Sequence, residues 1–144
     1  MIGDPMSNPV CNYCEKNDAH AAYAYEITAL PESVLYLFRE QSHPGRLIVA
    51  HKDHVADLMD LDDARRDAYF ADVAKAAKAL KKAFNPDKIN YAAYGDLVPH
   101  LHFHLVPKYR DQFEWGGTFA MNPQEKVLSD AECEAVAEKI RAAL

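Results

Sequence analysis

The amino-acid sequence predicts an α+β domain with an antiparallel sheet of about five strands, one long helix and a C-terminal helix. Three observations lead to this prediction. Short apolar runs bounded by turn residues indicate strands, a central stretch has apolar residues at helical spacing, and a capping sequence starts a helix near the C-terminus. A chain of 144 residues is long enough for one domain with its own core. We assign residues 1–9 to a flexible tail and residues 10–144 to this single domain.

Three strands are predicted before the long helix, over residues 22–28, 34–38 and 46–51. Pro31 separates the first strand from the second, because proline lacks the N–H that a strand interior needs. A short Pro-Gly turn joins the second strand to the third. The last two strands are therefore expected to form an antiparallel pair.

Residues 62–84 are predicted to form the long helix. Their apolar residues recur at spacings of four, three, four and four, which places them on one helical face. These residues are Tyr69, Val73, Ala76, Leu80 and Phe84. Lysines concentrate toward the C-terminal end, where positive charge suits the helix dipole. Asn85 and Pro86 are expected to end the helix.

Two further strands, residues 89–94 and 101–106, follow the helix and are joined by a loop through Pro99. Near the C-terminus, Ser129 and Glu132 have the spacing of a capping box, in which each side chain bonds the other residue's backbone. The final helix is therefore predicted to start at this point and to run to the end of the chain.

The composition limits the partners and the location that we expect. The net charge is −6 and the isoelectric point is about 5.6, so a long polyanion such as DNA would be repelled. A single nucleotide in a local pocket is not excluded. No apolar stretch of about 18 residues exists, and the N-terminus lacks the pattern of a signal peptide. Three cysteines fit a reducing compartment better than a disulfide framework. We expect a cytoplasmic protein that binds no nucleic acid polymer and no membrane.

Three histidines, His100, His102 and His104, alternate with apolar residues in the last predicted strand. Alternate residues share a face, so the three imidazoles are expected about 7 Å apart on one side of the sheet. A middle ring that attacks a phosphate, with flanking rings that donate hydrogen bonds, suits this arrangement, because histidine can serve as nucleophile, donor or acid near neutral pH. From the residues alone, a metal site and a polar strand face remain alternatives.

Cys11 and Cys14 are spaced for half of a tetrahedral zinc site. Free thiols and a thioredoxin-like redox pair are the alternatives, and the absence of a βαβ pattern around the pair favours zinc. Cys133 differs, because it shares a helical apolar stripe with Val136 and Ile140 and is predicted to be a core residue.

Several segments of the chain resemble the histidine triad (HIT) family of nucleotide hydrolases and transferases. Residues 100–106 match the family pattern His-φ-His-φ-His-φ-φ, in which φ is apolar, at every position. Residues 44–55 look like the family's Pro-Gly-His-x-Leu-Val-x-Pro-x-x-His-x segment, and the Cys-x-x-Cys is found in one branch of the family. Residues 91–96 and 115–119 resemble a prokaryotic subgroup labelled diadenosine-polyphosphate-hydrolase-like. The likeness spans residues 11–119.

The resemblance implies a HIT-like fold and a role for each triad histidine. His102 would be the nucleophile that forms a covalent nucleotidyl intermediate, which water then hydrolyses. His104 would stabilise the charge that develops on the phosphate oxygens, and His100 would orient His102 through its backbone carbonyl. The third triad member is histidine rather than glutamine, which favours hydrolysis over transfer.

The resemblance also implies the substrates and the assembly. The expected substrates are nucleoside phosphoramidates or dinucleoside polyphosphates, with adenine-type purine nucleotides first. A non-catalytic nucleotide-binding or sensor protein that keeps the HIT fold is the alternative. The family further implies a homodimer in which two sheets join, with the long helix and the segment around Trp115 near the interface.

A structural zinc ion is a further implication of the resemblance. In the zinc-bearing branch, the two cysteines are joined by the last histidine of the Pro-x-x-His segment and by the first histidine of the triad. These positions are His54 and His100 here, so the ligands would be Cys11, Cys14, His54 and His100. Such a site would pin the N-terminal loop to the catalytic strand and leave no open position on the metal.

Some residues depart from the family pattern. Arg46 stands where the family has the histidine of Pro-Gly-His, and Phe38 stands where relatives carry Asp or Asn for the ribose hydroxyls. A Gly-Gln-Ser/Thr stretch that touches phosphate in relatives reads Gly-Asp-Leu here. Asn90 lies near the place of a pocket asparagine and is the candidate nucleotide contact. His43 and His51 receive no role and are expected in an exposed loop and at an exposed strand end.

Overall fold

The structure, a computed structural model, describes residues 11–144, so the predicted tail over residues 1–9 lies outside the described residues. Within them, short helical turns come first and are followed by strands and two longer helices. The elements are α1 (Asn12–Glu15), α2 (Asp18–Ala21), β1 (Ala24–Ala29), β2 (Ser33–Phe38), β3 (Leu47–His51), a 3-10 turn (Leu58–Asp60), α3 (Asp63–Phe84), β4 (Lys88–Ala92), β5 (His102–Lys108) and α4 (Asp130–Ala143).

The strands form one five-stranded antiparallel sheet in the order β1-β2-β3-β5-β4. The predicted α+β class, with about five strands and two substantial helices, is thereby confirmed. β5 pairs with β3 on one side, where Ala50 lies opposite His102, and with β4 on the other, where Ala92 lies opposite His104. The strand that carries the triad histidines is therefore held between two neighbours.

α3 and α4 pack against one face of the sheet and enclose the main core. α3 follows the N-cap Asp62, whose side chain accepts a backbone N–H, and ends at Asn85 in the left-handed conformation. α4 starts with the predicted capping box of Ser129 and Glu132. Cys133 is fully buried in this core. Among the described residues, no helix combines the length and the apolar character needed to cross a membrane.

The opposite face of the sheet carries His102 and His104. Successive residues of a strand point to opposite faces, so Leu105 joins the main core while His102 and His104 face away from it. A smaller group of buried apolar side chains lies on the histidine side, next to the N-terminal turns. Its members are Tyr13, Ala24, Tyr36, Phe38, Ile48 and Ala50. The helices thus cover one face, and the other is left for the site.

β5 differs from the predicted strand over residues 101–106. It begins at His102 and continues through Pro107 to Lys108. Pairing with β3 ends at Leu105, so beyond this residue only β4 remains beside the strand. The open side accommodates a residue that has no N–H to donate, which explains why proline does not end the strand.

Candidate active site and metal centre

A cavity of about 410 Å³ opens beside the histidines of β5. Its walls combine two imidazoles with aromatic and apolar side chains. The lining residues are Tyr13, Tyr23, Phe38, Tyr94, Gly95, Asp96, Leu97, Val98, His102, His104, Met121 and Asn122. Small-molecule sites in proteins have volumes of about 300 to 1,000 Å³. The cavity is therefore large enough for a ligand of this class.

His102 lines this cavity, and only 9% of its surface is exposed. Its Nδ1 lies 2.6 Å from the carbonyl oxygen of His100. Because a carbonyl can only accept, Nδ1 carries the proton, and Nε2 of the neutral ring keeps a lone pair. Burial lowers the pKa of His102, which favours the neutral ring near pH 7. The geometry leaves Nε2 available to attack an electrophile.

His104 lies next to His102, with 5.3 Å between the ring centroids. Its Nδ1 lies 3.3 Å from Nη2 of Arg46. Burial and, second, the charge of Arg46 lower the pKa of His104 to about 3. His104 is therefore an uncharged hydrogen-bonding group near neutral pH and not a cation.

His100 does not line this cavity with the other two histidines. Its Nε2 donates to the carbonyl oxygen of His51 at 2.7 Å, and its Nδ1 faces the cysteines of the N-terminal segment. Both ring nitrogens are thus engaged elsewhere. Two rings, and not the predicted row of three, face the cavity, because residue 100 precedes β5 and its side chain turns toward the cysteines.

Four side chains converge at this point, and their ligand atoms all lie within 4.8 Å of one another. They are Cys11, Cys14, His54 and His100. Nδ1 of His100 lies 3.4 Å from Sγ of Cys11 and 3.3 Å from Nδ1 of His54. Zinc–ligand bonds of about 2.0 to 2.3 Å put neighbouring tetrahedral ligands about 3.3 to 3.8 Å apart. The bond from Nε2 to a carbonyl also leaves a lone pair on Nδ1 of His100. The donor set and its spacing therefore fit a tetrahedral metal ion.

Tyr13 connects this ligand cluster to the cavity. Its ring is stacked on His100, with 5.3 Å between centroids, and lies 4.8 Å from the ring of His102. Only 5% of its surface is exposed. Sequence reasoning missed Tyr13, whose one signal is its place between Cys11 and Cys14. A metal that holds these cysteines would also hold the tyrosine ring against His102.

Two residues that depart from the family pattern contact each other behind His104. The guanidinium of Arg46 lies 4.1 Å from the ring centre of Phe38 and 5.0 Å from that of Phe119. Cation–π contacts of this kind contribute about 0.5 to 2 kcal/mol. Arg46 also donates to the carbonyl oxygen of Met121 at 2.8 Å. Phe119 and Met121 belong to the loop after β5, and no local sequence signal ties them to Arg46.

Asn90 is the predicted nucleotide contact that the single chain does not bring to the cavity. It lies on β4 opposite Val106, two residues along the strand from the pair formed by Ala92 and His104. It lines a separate groove with Arg110 and other residues that follow β5. The described chain alone therefore gives Asn90 no contact with the site of His102.

His43 and His51 are buried, and the expectation that they are exposed is wrong. His43 Nε2 lies 2.7 Å from a carboxylate oxygen of Glu114, and His51 Nε2 lies 3.0 Å from one of Glu32. Glu114 lies 71 residues from His43 in the sequence, and Glu32 lies 19 residues from His51. Buried imidazoles need such partners, and local sequence could not reveal them.

His20 is a buried histidine whose protonation should weaken the fold. Its Nε2 has no hydrogen-bond partner among residues 11–144, and burial lowers its pKa to about 4. Below its usual pKa of about 6.5 the unfolded chain binds a proton that the folded chain does not, so stability falls as the pH drops. As the pH falls from about 6.5 to 4, this group should lower the free energy of unfolding of the wild type by about 3 kcal/mol. His20→Phe should not show this loss. Urea unfolding of both proteins at the two pH values measures the difference. Equal losses would contradict the prediction.

Comparison with known proteins places these residues in a family context. Residues 22–111 match the family model described as the HIT domain. The chain is 28% identical over 137 residues to adenosine 5'-monophosphoramidase hnt1 of Schizosaccharomyces pombe, covering 90% of this chain and 95% of the relative. It is 34% identical over 73 residues to a bis(5'-adenosyl)-triphosphatase of Saccharomyces cerevisiae, covering 46% of this chain and 35% of that protein.

Solved structures share the fold. A histidine triad protein of Sinorhizobium meliloti superposes with a TM-score of 0.80 at 20% identity, over 98% of this chain and 100% of that one. A Zn-bound histidine triad family protein of Mycobacterium smegmatis superposes with a TM-score of 0.66 at 23% identity, over 96% of this chain and 93% of that one. Because the family model matches residues 22–111, which include all five strands and the three histidines, the chain belongs to the HIT domain family.

Proposed function

We propose that this protein hydrolyses nucleoside phosphoramidates or dinucleoside polyphosphates through a covalent nucleotidyl-His102 intermediate. One observation carries the proposal: the Nδ1 of His102 is engaged by the backbone carbonyl of His100 at 2.6 Å, while its ring lines a cavity of about 410 Å³. This arrangement presents a neutral imidazole with an unprotonated Nε2 to a bound molecule. The names of the two yeast relatives support a nucleotide with an amine or a phosphate as the leaving group.

The reaction proceeds in two displacements. The lone pair on Nε2 of His102 forms a bond to the α-phosphorus, and the bond from phosphorus to the leaving group breaks with its electron pair on that group, which takes up a proton. The hydrogen bond from Nδ1 to the His100 carbonyl stabilises the positive charge that the ring gains. Water then attacks the phosphorus, and the bond from phosphorus to Nε2 breaks with its electron pair returning to the ring. The water loses a proton to the solvent, the nucleoside monophosphate leaves, and His102 is neutral again. His104 is placed to stabilise the charge on the phosphate oxygens in both steps.

A turnover screen tests the proposal. Adenosine phosphoramidate, diadenosine triphosphate and diadenosine tetraphosphate are incubated with the wild type, and adenosine monophosphate is measured as the common product. We expect turnover of at least one compound. No turnover of any of them, combined with tight nucleotide binding, would support the alternative of a non-catalytic nucleotide-binding or sensor protein. The packing of Phe38 against Arg46, where relatives read the ribose, is the observation that favours this alternative.

The cavity should discriminate only weakly between a ribonucleotide and its 2'-deoxy analogue. Phe38 cannot accept a hydrogen bond, and its ring is packed on Arg46. Sites that hydrogen-bond a substrate hydroxyl reject analogues without it by several orders of magnitude. We therefore expect kcat/KM for adenosine phosphoramidate and its 2'-deoxy analogue to agree within about threefold. Initial rates at low substrate concentration measure the ratio. A preference for the ribonucleotide above about a hundredfold would contradict this prediction.

We propose that the cluster of Cys11, Cys14, His54 and His100 holds a structural zinc ion. The convergence of four donors and the Zn-bound relative of Mycobacterium smegmatis support this assignment. Zinc bound there would use all four protein ligands and would link α1 to the segment before β5. No step of the reaction passes through the metal.

We further propose a homodimer and a cytoplasmic location. β4 lies at the edge of the sheet, so one side of its backbone is unpaired within the chain, and Tyr91 on this strand is half exposed. Pairing between two copies of this edge would join the sheets. Sedimentation equilibrium of the full chain measures the oligomeric state, and a monomer at micromolar concentration would contradict the proposal.

A further inference from the structure

Arg46 is a fully buried cation that forms no ion pair with a carboxylate in the described part of the chain. It has no exposed area and is the largest of the fully buried side chains. Within residues 11–144, none of the ion pairs includes it. Burial lowers the pKa of Arg46 to about 10, so the guanidinium is still charged near neutral pH. A buried charge without a counter-charge is costly, and such groups are concentrated at functional sites.

The contacts of Arg46 hold the guanidinium in one place without neutralising it. Nη1 donates to the carbonyl oxygen of Ala120 at 3.3 Å and Nη2 donates to that of Met121 at 2.8 Å. The ring centres of Phe38 and Phe119 lie 4.1 and 5.0 Å from the guanidinium carbon. Nε has no hydrogen-bond partner among the residues that the structure describes. The side chain therefore brings a positive charge to the back of the cavity without a direct ion pair, and the more distant carboxylates of Glu40 and Glu114 balance only part of its desolvation.

A further contact of Arg46 determines the protonation of His104. Nη2 lies 3.3 Å from Nδ1 of His104, and a guanidinium can only donate. Nδ1 of His104 must accept, so the single proton of the neutral ring is on Nε2. His102 has the opposite tautomer, because its Nδ1 donates to a carbonyl. At Nε2, His102 thus offers a lone pair, whereas His104 offers an N–H.

We propose that Arg46 is a positioning residue that fixes His104 as an Nε2–H donor toward the phosphate and supplies positive charge that this phosphate neutralises. The inference rests on the proposed function, because it takes the bound anion to be the phosphate of a nucleotide. Arg46 acts through His104, which lines the cavity while Arg46 does not. The low pKa of His104 supports the assignment, since the ring remains a neutral donor over the physiological pH range.

The tautomer is measured directly in the free protein. Long-range ¹H–¹⁵N spectra of the histidine rings distinguish a protonated from an unprotonated ring nitrogen. We expect His104 of the wild type to be protonated at Nε2 only, and Arg46→Met to shift its population toward the Nδ1–H form. Arg66→Met removes the same charge from the surface of α3 and is the matched control. A wild-type His104 protonated at Nδ1 would overturn the inference, and this result needs no variant to fold.

The effect of the Arg46 charge is tested by measuring the affinity of the full chain for adenosine monophosphate and for adenosine. We expect Arg46→Met to weaken the binding of adenosine monophosphate about tenfold and to leave the affinity for adenosine unchanged. Arg46→Lys, which keeps the charge, should restore the preference, and Arg66→Met should match the wild type. Equal affinity of the wild type and a folded Arg46→Met for adenosine monophosphate would overturn the inference, as would a tenfold loss in Arg46→Lys. An intact preference for the phosphate without turnover of any substrate would contradict the proposed hydrolysis and support the role of Arg46.

Discussion

Replacement of His102 by alanine is expected to lower kcat for a nucleoside phosphoramidate by on the order of 10³-fold or more. The Nε2 of His102 is the proposed attacking atom. His104 cannot replace it, because its Nε2 carries a proton in the geometry set by Arg46. The loss should appear in kcat more than in binding, since the cavity walls and His104 remain. Steady-state rates and the affinity for adenosine monophosphate, measured on the same preparation, separate the two effects.

His20→Phe is the matched control for this variant. His20 is also a buried histidine on the same side of the sheet, close to Tyr13, but it does not line the cavity. Its substitution should keep kcat within about threefold of the wild type. Equal rates for His102→Ala and the wild type would contradict the proposed role of His102.

Loss of the metal cluster is expected to produce the second large effect, on stability. Structural zinc contributes on the order of 10 kcal/mol in small domains that fold only with the metal. The main core contains none of the four cluster residues, so we expect a smaller loss of at least about 3 kcal/mol in the free energy of unfolding for Cys11→Ser. Urea unfolding with and without a chelator measures the loss, and elemental analysis counts the zinc.

Cys133→Ala provides the control for this experiment. Cys133 lies on the buried face of α4 and is remote in sequence from the cluster. The variant should keep one zinc ion per chain and a chelator-dependent stability, whereas Cys11→Ser should have lost both. We also expect Cys11→Ser to lose part of its activity, because the ring of Tyr13 would no longer be held against His102. A wild type without zinc, or a Cys11→Ser that keeps it, would contradict the structural site.

Much of the fold could be predicted because its signals are local. The capping box of Ser129, the helical spacing before Asn85 and the alternation around His102 each act within one element. The sheet edge and the strand order depend on pairings between distant segments, and neither of them was predicted from the sequence. The continuation of β5 through Pro107 could not be predicted from the residue, because it depends on where the neighbouring strand ends.

The site was predicted unevenly for the same physical reason. The four candidate metal ligands could be named because each lies in a motif that the zinc-bearing branch of the family shares. The group formed by Arg46, Phe38 and Phe119 comes from three separate segments, and none of these residues alone indicates a role in positioning His104. His43 and His51 could be recognised as buried only once the carboxylates that approach them were known.

The central claim is that His102 is the nucleophile, and one measurement tests it most directly. Wild type and His102→Ala are mixed briefly with adenosine phosphoramidate and quenched in alkaline denaturant, where a bond from phosphorus to an imidazole nitrogen survives. Mass spectrometry of the intact chain and of its peptides then locates any adduct. We expect one adenylyl group on His102 in the wild type, formed before product accumulates, and none in His102→Ala. Turnover by the wild type without an adduct, or with the adduct on another residue, would contradict the mechanism.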